Sequence, residues 1–304
     1  MKSKKIIIGS RGSKLALIYA ETAKRIISEN YKDFNIEIKK ITTDGDLNTK
    51  DRLSDVGGKG LFSKKIEQEL QQKKIDLAVH ALKDMPSEEP EDLLTNCFLE
   101  RNDPREILIS KKNLTLYELP SNAVVGTSSF RREFQLKQIR KDLNFKLIRG
   151  NVDTRIKKLN SESYDAIILS YAGLKSLNLQ NNISQFFSVS EVVPSAGQGV
   201  VALQCRKTDN DLINLLNKIN HLPTHNCITA ERSVLKILEG DCETAVGANA
   251  FIEGEKITLS AELFSLDGSK RFFQQDSKDL SKSRELGIEI GKKLKIESNN
   301  SYKK

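Results

Sequence analysis

No tryptophan occurs among the 304 residues and aromatic residues make up only 6% of them, so the chain offers no broad stacking platform for nucleobases. Cysteine is scarce too. Cys97, Cys205, Cys227 and Cys242 form no C-x-x-C pair, which speaks against a redox dithiol or a cysteine-rich zinc site. His221, His225 and Cys227 stand close in sequence, but no fourth ligand lies at suitable spacing and no metal is expected. Nothing approaches the ~20 consecutive apolar residues of a membrane span. The run Ile6-Ile7-Ile8 is too short for a signal-peptide core and reads as a first strand. The expectation is a cytoplasmic chain with reduced thiols and no membrane partner. Gly57-Gly58-Lys59-Gly60 falls short of the G-x4-G-K-[ST] pattern, and no RNP-like or finger-like pattern occurs, so neither a nucleotide nor a nucleic acid is expected as ligand. No extended apolar seam is visible, and a monomer is expected.

What the chain does carry is positive charge, formally +8, in a body that is 38% hydrophobic and 30% charged. Much of it is lysine on helix faces, as in Lys64-Lys65, Lys73-Lys74 and Lys157-Lys158, where solvation is the ordinary reading. The arginines are placed differently. Arg11, Arg131, Arg132, Arg149 and Arg155 all sit at or near junctions where a strand-like run gives way to a helix-like one. In open α/β sheets ligands bind beyond the carboxyl ends of strands, so these junctions point to an anionic small molecule. A lone arginine is most often half of a surface ion pair; the joint placement of five argues for anion binding.

The length predicts two or three domains. Ile6 to Ser13 has a counterpart in Val124 to Arg132: an apolar strand, a glycine, hydroxyl residues and arginine, then an amphipathic helix marked by Leu15, Ile18, Thr22 and Ile26 in the first case and by Phe134, Leu136 and Ile139 in the second. Ile75 to Asp84 is echoed by Tyr164 to Lys175. The fold class is therefore α/β, two duplicated lobes with mixed, mostly parallel sheets covered on both faces. Pro104, Pro194, Gly197 and Gly199 mark hinge crossings at 101–105 and 193–199, and two such lobes would line a cleft with their charged loops. From about Thr224 a helix-like run leads to Cys242, and strands at 248–252 and 257–264 follow around the turn Glu253-Gly254-Glu255, a smaller C-terminal α+β domain. The expected boundaries are 1–99 plus 200–219, 100–199 and 220–304, with a frayed tail from Ser298 to Lys304. The glycine-rich segment 43–62 reads as a mobile lid.

Five segments in order, Gly9 to Ala16, Val79 to Pro86, Gly126 to Arg132, Arg149 to Arg155 and Leu238 to Gly247, resemble the porphobilinogen deaminase (hydroxymethylbilane synthase) family over nearly the whole chain. One such motif would be weak; five in register are specific. The resemblance implies a three-domain enzyme that joins four porphobilinogens head to tail, releasing ammonia each time, on a dipyrromethane cofactor held by a thioether to one cysteine, which by position is Cys242. Each pyrrole carries an acetate and a propionate, which guanidinium forks and helix N-termini suit, each charge-assisted bond contributing roughly 1.5–3 kcal/mol. On the family's pattern Lys83, Asp84, Ser129, Arg131 and Arg132 would hold the cofactor, while Arg11, Ser13, Thr127, Arg149 and Arg155 would hold substrate carboxylates. Lys59 and Phe62 would reach the ligand from the lid. Asp84, after the apolar strand 77–79, is the catalytic candidate, an ionised carboxylate beside the azafulvenium cation formed when the aminomethyl nitrogen leaves. A helix cap is the plain alternative for Asp84, and without the resemblance Cys242 would read as a small core residue.

The chain departs from the family's pattern at Asp241, where glycine is frequent, at Ala81 in place of serine, and at Lys175 in place of arginine, which keeps charge but loses the bidentate fork. Two other classes compete. Two such lobes have the periplasmic-binding-protein-like architecture, so a cytoplasmic anion-binding protein is the first rival, although it would need no cysteine-bearing third domain. A catalytically inactive relative is the second.

Overall fold

A computed structural model describes residues 4–47, 60–240 and 244–303. The chain opens with β1 (Lys4–Arg11), α1 (Lys14–Asn30), β2 (Phe34–Ile41), the short α2 (Asp44–Leu47), α3 (Lys64–Gln71), β3 (Leu77–Ala81) and β4 (Leu93–Phe98). A second stretch holds β5 (Glu106–Ser110), β6 (Val124–Gly126), α4 (Phe130–Ile139), β7 (Asn144–Lys146), α5 (Val152–Ser161), β8 (Ala166–Ser170), α6 (Tyr171–Ser176) and β9 (Gln185–Phe186). Then come β10 (Val201–Arg206), α7 (Asn210–Ile219), α8 (Leu222–Leu238), β11 (Val246–Glu253), β12 (Lys256–Phe264), β13 (Arg271–Asp279) and α9 (Ser283–Ser298).

The described residues fall into two compact units, one within Met1–Asn48, Gly58–Asn102 and Val200–His225, the other within Asp103–Gly199 and Asn226–Lys304. The first unit is built on a sheet of order β2-β1-β3-β10-β4, in which β2, β1 and β3 run parallel and β10 is antiparallel to both its neighbours. Its strands bury both faces: Ile8, Leu77, Val79 and Leu203 pack in one core with Ala20, Ala23 and Ile27 of α1, while Ala78 packs on the other side with Ile41, Ile66 and Ile75. The buried stripe of α1 is thus Ala20, Ala23 and Ile27, whereas Ile18, expected on the apolar face, is exposed. Two alanines in that stripe let the helix lie close to β1 and β3, and closeness decided which face went in.

The second unit repeats the plan. Its sheet runs β7-β6-β8-β5-β9, with β7, β6 and β8 parallel and β5 antiparallel to β8. Alternate residues of β5 and β8 go to opposite cores: Leu108 and Ile168 with Leu136 and Phe187, Ile107, Ile109, Ile167 and Leu169 with Ile148 and Leu174. Such continuous apolar strands are what a doubly covered sheet requires, each buried Ile or Leu contributing roughly 1.5–3 kcal/mol. The matching strand orders bear out the duplicated, mostly parallel α/β reading.

A separate antiparallel meander, β11-β12-β13, lies under α8 and α9. Gly287 and Gly291 let α9 approach α8, since a Cβ on Gly287 would lie 2.1 Å from the Ala230 carbonyl oxygen. The terminal residues expected to fray do not: Tyr302 is 2% exposed and belongs to this core.

Candidate active site

In the first unit the carboxyl ends of β1 and β3 meet the turn Thr43–Asp46. The chain leaves β1 through Arg11 and Gly12, and Ser13 caps α1, its Oγ accepting the Ala16 N–H at 3.3 Å. Arg11 spans the opening. Its Nε and Nη2 donate to Asp46 Oδ1 at 3.1 and 2.5 Å, and its Nη1 stands 3.8 Å from Asp84 Oδ2. Asp46 is fixed in turn by the Thr43 hydroxyl at 2.7 Å and the Thr43 N–H at 3.2 Å. Burial alone would push the Asp46 carboxyl up, but the hydrogen bond and charge of Arg11, with the Thr43 donors, bring it below the usual range. The Arg11 guanidinium also lies 4.0 Å over the ring of Phe62, and that ring packs so close to Gly45 that a Cβ there would meet it at 2.4 Å.

Asp84 ends the 3-10 turn Leu82–Asp84 that follows β3, with Lys83 half-buried in the same turn. Arg11, Ser13, Phe62, His80 and Asp84 line one pocket. Of these, His80 adds a side chain that the sequence did not single out. It is buried, and its Nε2 lies 3.3 Å from Gln204 Oε1, while Gln204 Nε2 donates to Glu67 Oε1 at 3.3 Å and the Ser63 hydroxyl donates to Glu67 Oε2 at 3.3 Å. Because Gln204 uses its amide nitrogen on Glu67, its oxygen accepts from His80, so Nε2 carries the proton of the neutral ring. Burial pushes the His80 imidazole down to about 4, against the opposing pull of Gln204 and with the charge of Arg11 adding to it.

The second unit has its own cluster at the corresponding strand ends. Thr127 and Ser129 follow β6, Ser129 capping α4, and the Ser129 N–H donates to Thr127 Oγ1 at 3.1 Å. Arg149 is buried, and Gly150, at φ 115°, turns the chain into α5, where Arg155 Nε donates to the Gly150 carbonyl at 2.8 Å. Arg131 and Arg132 turn inward. The fully buried Glu106 at the head of β5 takes Arg131 Nη2 at 2.6 Å, Arg132 Nε at 3.0 Å and Arg132 Nη2 at 2.8 Å. Arg131 Nη1 goes to the Val193 carbonyl at 2.7 Å, and Arg132 Nη1 to that of Ile168 at 3.4 Å. Two guanidiniums and one carboxylate leave the cluster with one net positive charge.

The structure thus gathers Arg11, Ser13, Phe62 and Asp84 in the first unit, and sets Thr127, Ser129, Arg131, Arg132, Arg149 and Arg155 around β6 and α5 in the second. Lys59 and Cys242 lie outside the described residues. Cys97, Cys205 and Cys227 are buried thiols, and burial pushes Cys97 up to about 12 and Cys205 up to about 11, far from a thiolate nucleophile. Asp46 and Glu106 escaped the sequence reading. The signal for Glu106 was a lone acid opening an otherwise apolar strand, Glu106–Ser110, in a chain with paired arginines nearby. Among the described residues no cluster of side chains could hold a metal ion.

The family model described as porphobilinogen deaminase, dipyromethane cofactor binding domain, matches residues 6–214, and the one described as porphobilinogen deaminase, C-terminal domain, matches residues 225–296. The porphobilinogen deaminase of Rickettsia typhi is 45% identical over 291 residues, 95% of this chain and 97% of that protein. Those of Alkaliphilus metalliredigens and Staphylococcus carnosus are each 41% identical, covering 95% and 96% of this chain and 92% and 95% of theirs. Among solved structures, the methionine binding protein MetQ superposes with a TM-score of 0.44 at 12% identity over 71% of this chain and 88% of that one.

Proposed function

This chain belongs to the porphobilinogen deaminase family, and from that premise we propose how its own residues carry the activity. It is a transferase of tetrapyrrole, and hence porphyrin and haem, biosynthesis: a hydroxymethylbilane synthase that condenses four porphobilinogens head to tail with release of four ammonia, using a dipyrromethane cofactor. The rival of a cytoplasmic anion-binding protein is not favoured.

Asp84 is the proposed catalytic residue, and the arrangement that carries the reading is Arg11 held between Asp46 and Asp84. A guanidinium next to Asp84 would oppose a cation in the pocket, but Asp46 takes that charge through the Arg11 Nε and Nη2 donors. Asp84 is left to stabilise the positive charge that grows on the substrate as its aminomethyl nitrogen leaves, and to accept the pyrrole N–H. Arg11, Ser13, Lys59, Phe62, Thr127, Arg149 and Arg155 are proposed to bind substrate and chain carboxylates. Phe62 lines the pocket, and the face of its ring lies against the Arg11 guanidinium.

Lys83, Asp84, Ser129, Arg131 and Arg132 are proposed to hold the cofactor, with Cys242 its covalent anchor. Bound there, the dipyrromethane supplies the pyrrole carbon to which the first substrate unit is joined. The residues that support this reading stand at strand ends beside helix N-termini: Thr127 and Ser129 before α4, Arg149 and Arg155 about the start of α5, and Arg131 and Arg132, whose two positive charges meet one carboxylate at Glu106. We further propose three domains, 1–99 plus 200–219, 100–199 and 220–304, and a cytoplasmic monomer without nucleic-acid or membrane partners. Three separate sheets support the first statement, and among the described residues no helix is long and apolar enough to cross a membrane.

Intact mass spectra of the wild type and of Cys242→Ser test the reading. An increment equal to two porphobilinogens less two ammonias in the wild type alone is the expected result. Its absence from freshly made wild type would turn the assignment toward an inactive relative.

A further inference from the structure

Helix α8 ends at Leu238, and Cys242 follows shortly after in the sequence. The helix closes with Glu239 in the left-handed conformation, φ 53°, and with the Gly240 N–H reaching back to the Leu235 carbonyl at 2.9 Å, the pattern of a Schellman turn. Glycine usually fills the left-handed position because a Cβ is disfavoured there. Glu239 is kept in it by the end of the chain. Its Oε1 lies 3.0 Å from Lys295 Nζ and its Oε2 2.8 Å from Lys303 Nζ, and these two ammonium groups draw the carboxyl down to about 2. The last carbonyls of α8 are satisfied from the same source: the Tyr302 hydroxyl donates to Leu238 O at 3.1 Å and Lys295 Nζ to Ile237 O at 3.3 Å.

The tail is built for this contact. Asn299 and Asn300, at φ 46° and 57°, turn the chain back after α9, and the ring of Tyr302 enters the core formed by Val234, Leu238 and Leu294. On the far side of the segment, the Phe264 N–H donates to the Ala245 carbonyl at 3.1 Å, and Val246 pairs with Leu263 in the sheet. Both ends of the stretch that bears Cys242 are therefore tied into the C-terminal domain, one by the sheet and the other by residues from the chain terminus.

We propose that Lys295, Tyr302 and Lys303 are positioning residues, a brace on the end of α8 on which attachment of the cofactor at Cys242, four residues after Leu238 in the sequence, depends. The proposal rests on Cys242 being the anchor. Without the brace, the Glu239 turn loses its two ion pairs and the helix end loses partners for its carbonyls, so the stem opens more often. An attacking thiolate on an opening stem spends less time aligned for reaction.

The test uses full-length protein produced without porphobilinogen, then supplied with it well below the unfolding temperature. Loading is followed by intact mass, and hydrogen exchange is read at Leu238, Glu239 and Gly240. In the double variant Tyr302→Phe, Lys303→Met, exchange at these amides should rise roughly tenfold, as expected for removal of a hydrogen bond and a charge-assisted bond, with loading slowed by a similar factor. Lys303→Arg, which keeps the charge, should load like the wild type. Ile257→Val, in the same core but remote from the turn, should lower the unfolding temperature without slowing loading. Wild-type loading rates in the double variant overturn the proposal, whether or not exchange has risen. A wild type that never loads defeats the anchor reading first and the brace with it, and that outcome is recognised in the wild type alone.

Discussion

Arg11 divides its guanidinium between two carboxylates, giving Nε and Nη2 to Asp46 and leaving Nη1 3.8 Å from Asp84. The division decides how much negative charge the pocket keeps. With Asp46 ionised, the pair is close to neutral and Asp84 acts on the substrate unopposed; with Asp46 removed, the guanidinium can turn to Asp84.

Asp46→Asn should therefore lower kcat by about tenfold or more while KM moves little, because the lost interaction acts on charge that develops as the bond breaks. Steady-state porphobilinogen consumption measures both constants. A variant with wild-type kcat would remove Asp46 from the site.

Asp84→Asn should abolish turnover and leave a folded protein. The Asp84 side chain is 34% exposed and its ion pair with Arg11 is long, at 3.8 Å, so its removal should change stability by no more than about 0.5 kcal/mol, as for other surface positions. Thermal unfolding and ammonia release, measured on one preparation, separate the two effects. Normal turnover would take Asp84 out of the mechanism.

Glu106→Gln should destabilise the second unit by about 3–5 kcal/mol, because it leaves Arg131 and Arg132 buried without their carboxylate. Denaturant unfolding reads this directly. Pairing the change with Arg132→Met should recover part of the loss, since one of the two stranded charges is then gone; no recovery would show that the triad does not act as a unit.

The duplicated lobes were legible because their strands are apolar on both faces and end in the same glycine, hydroxyl and arginine sequence, which survives translation into β1 and β6 almost unchanged. Arg11 and Asp84 could be placed for the same reason: a strand end fixes where the next side chain emerges. Arg131 and Arg132 were harder, for their direction depends on how α4 is rotated against β5, and only the fold shows that Glu106 waits there. The stripe of α1 illustrates the opposite limit. Leu15 and Ile18 outweigh Ala20 and Ala23 in hydrophobicity, yet close packing selected the small residues. Tyr302 was misread as tail because a polar stretch around one aromatic gives no period, and its place is set by contacts with Leu238 far away in sequence.

His80 provides the last prediction. Its ring is buried, donates to Gln204 and faces the charge of Arg11, so it stays neutral in the fold until about pH 4, whereas an exposed imidazole takes up a proton near 6.5. Between those values the unfolded chain binds the extra proton, and stability must fall as pH falls, the full contribution being present above pH 6.5. The shift corresponds to roughly 3 kcal/mol by pH 4. Glu67, at the other end of the chain of hydrogen bonds, works in the opposite direction: burial pushes its carboxyl up, so its cost grows as pH rises past the ordinary carboxylate range. Other carboxylates titrate in the same window, and only a difference isolates the imidazole. The stability of the wild type relative to His80→Asn should therefore decline by roughly 3 kcal/mol between pH 7 and pH 4. A gap that stays constant across that range would mean that His80 does not remain neutral within the fold.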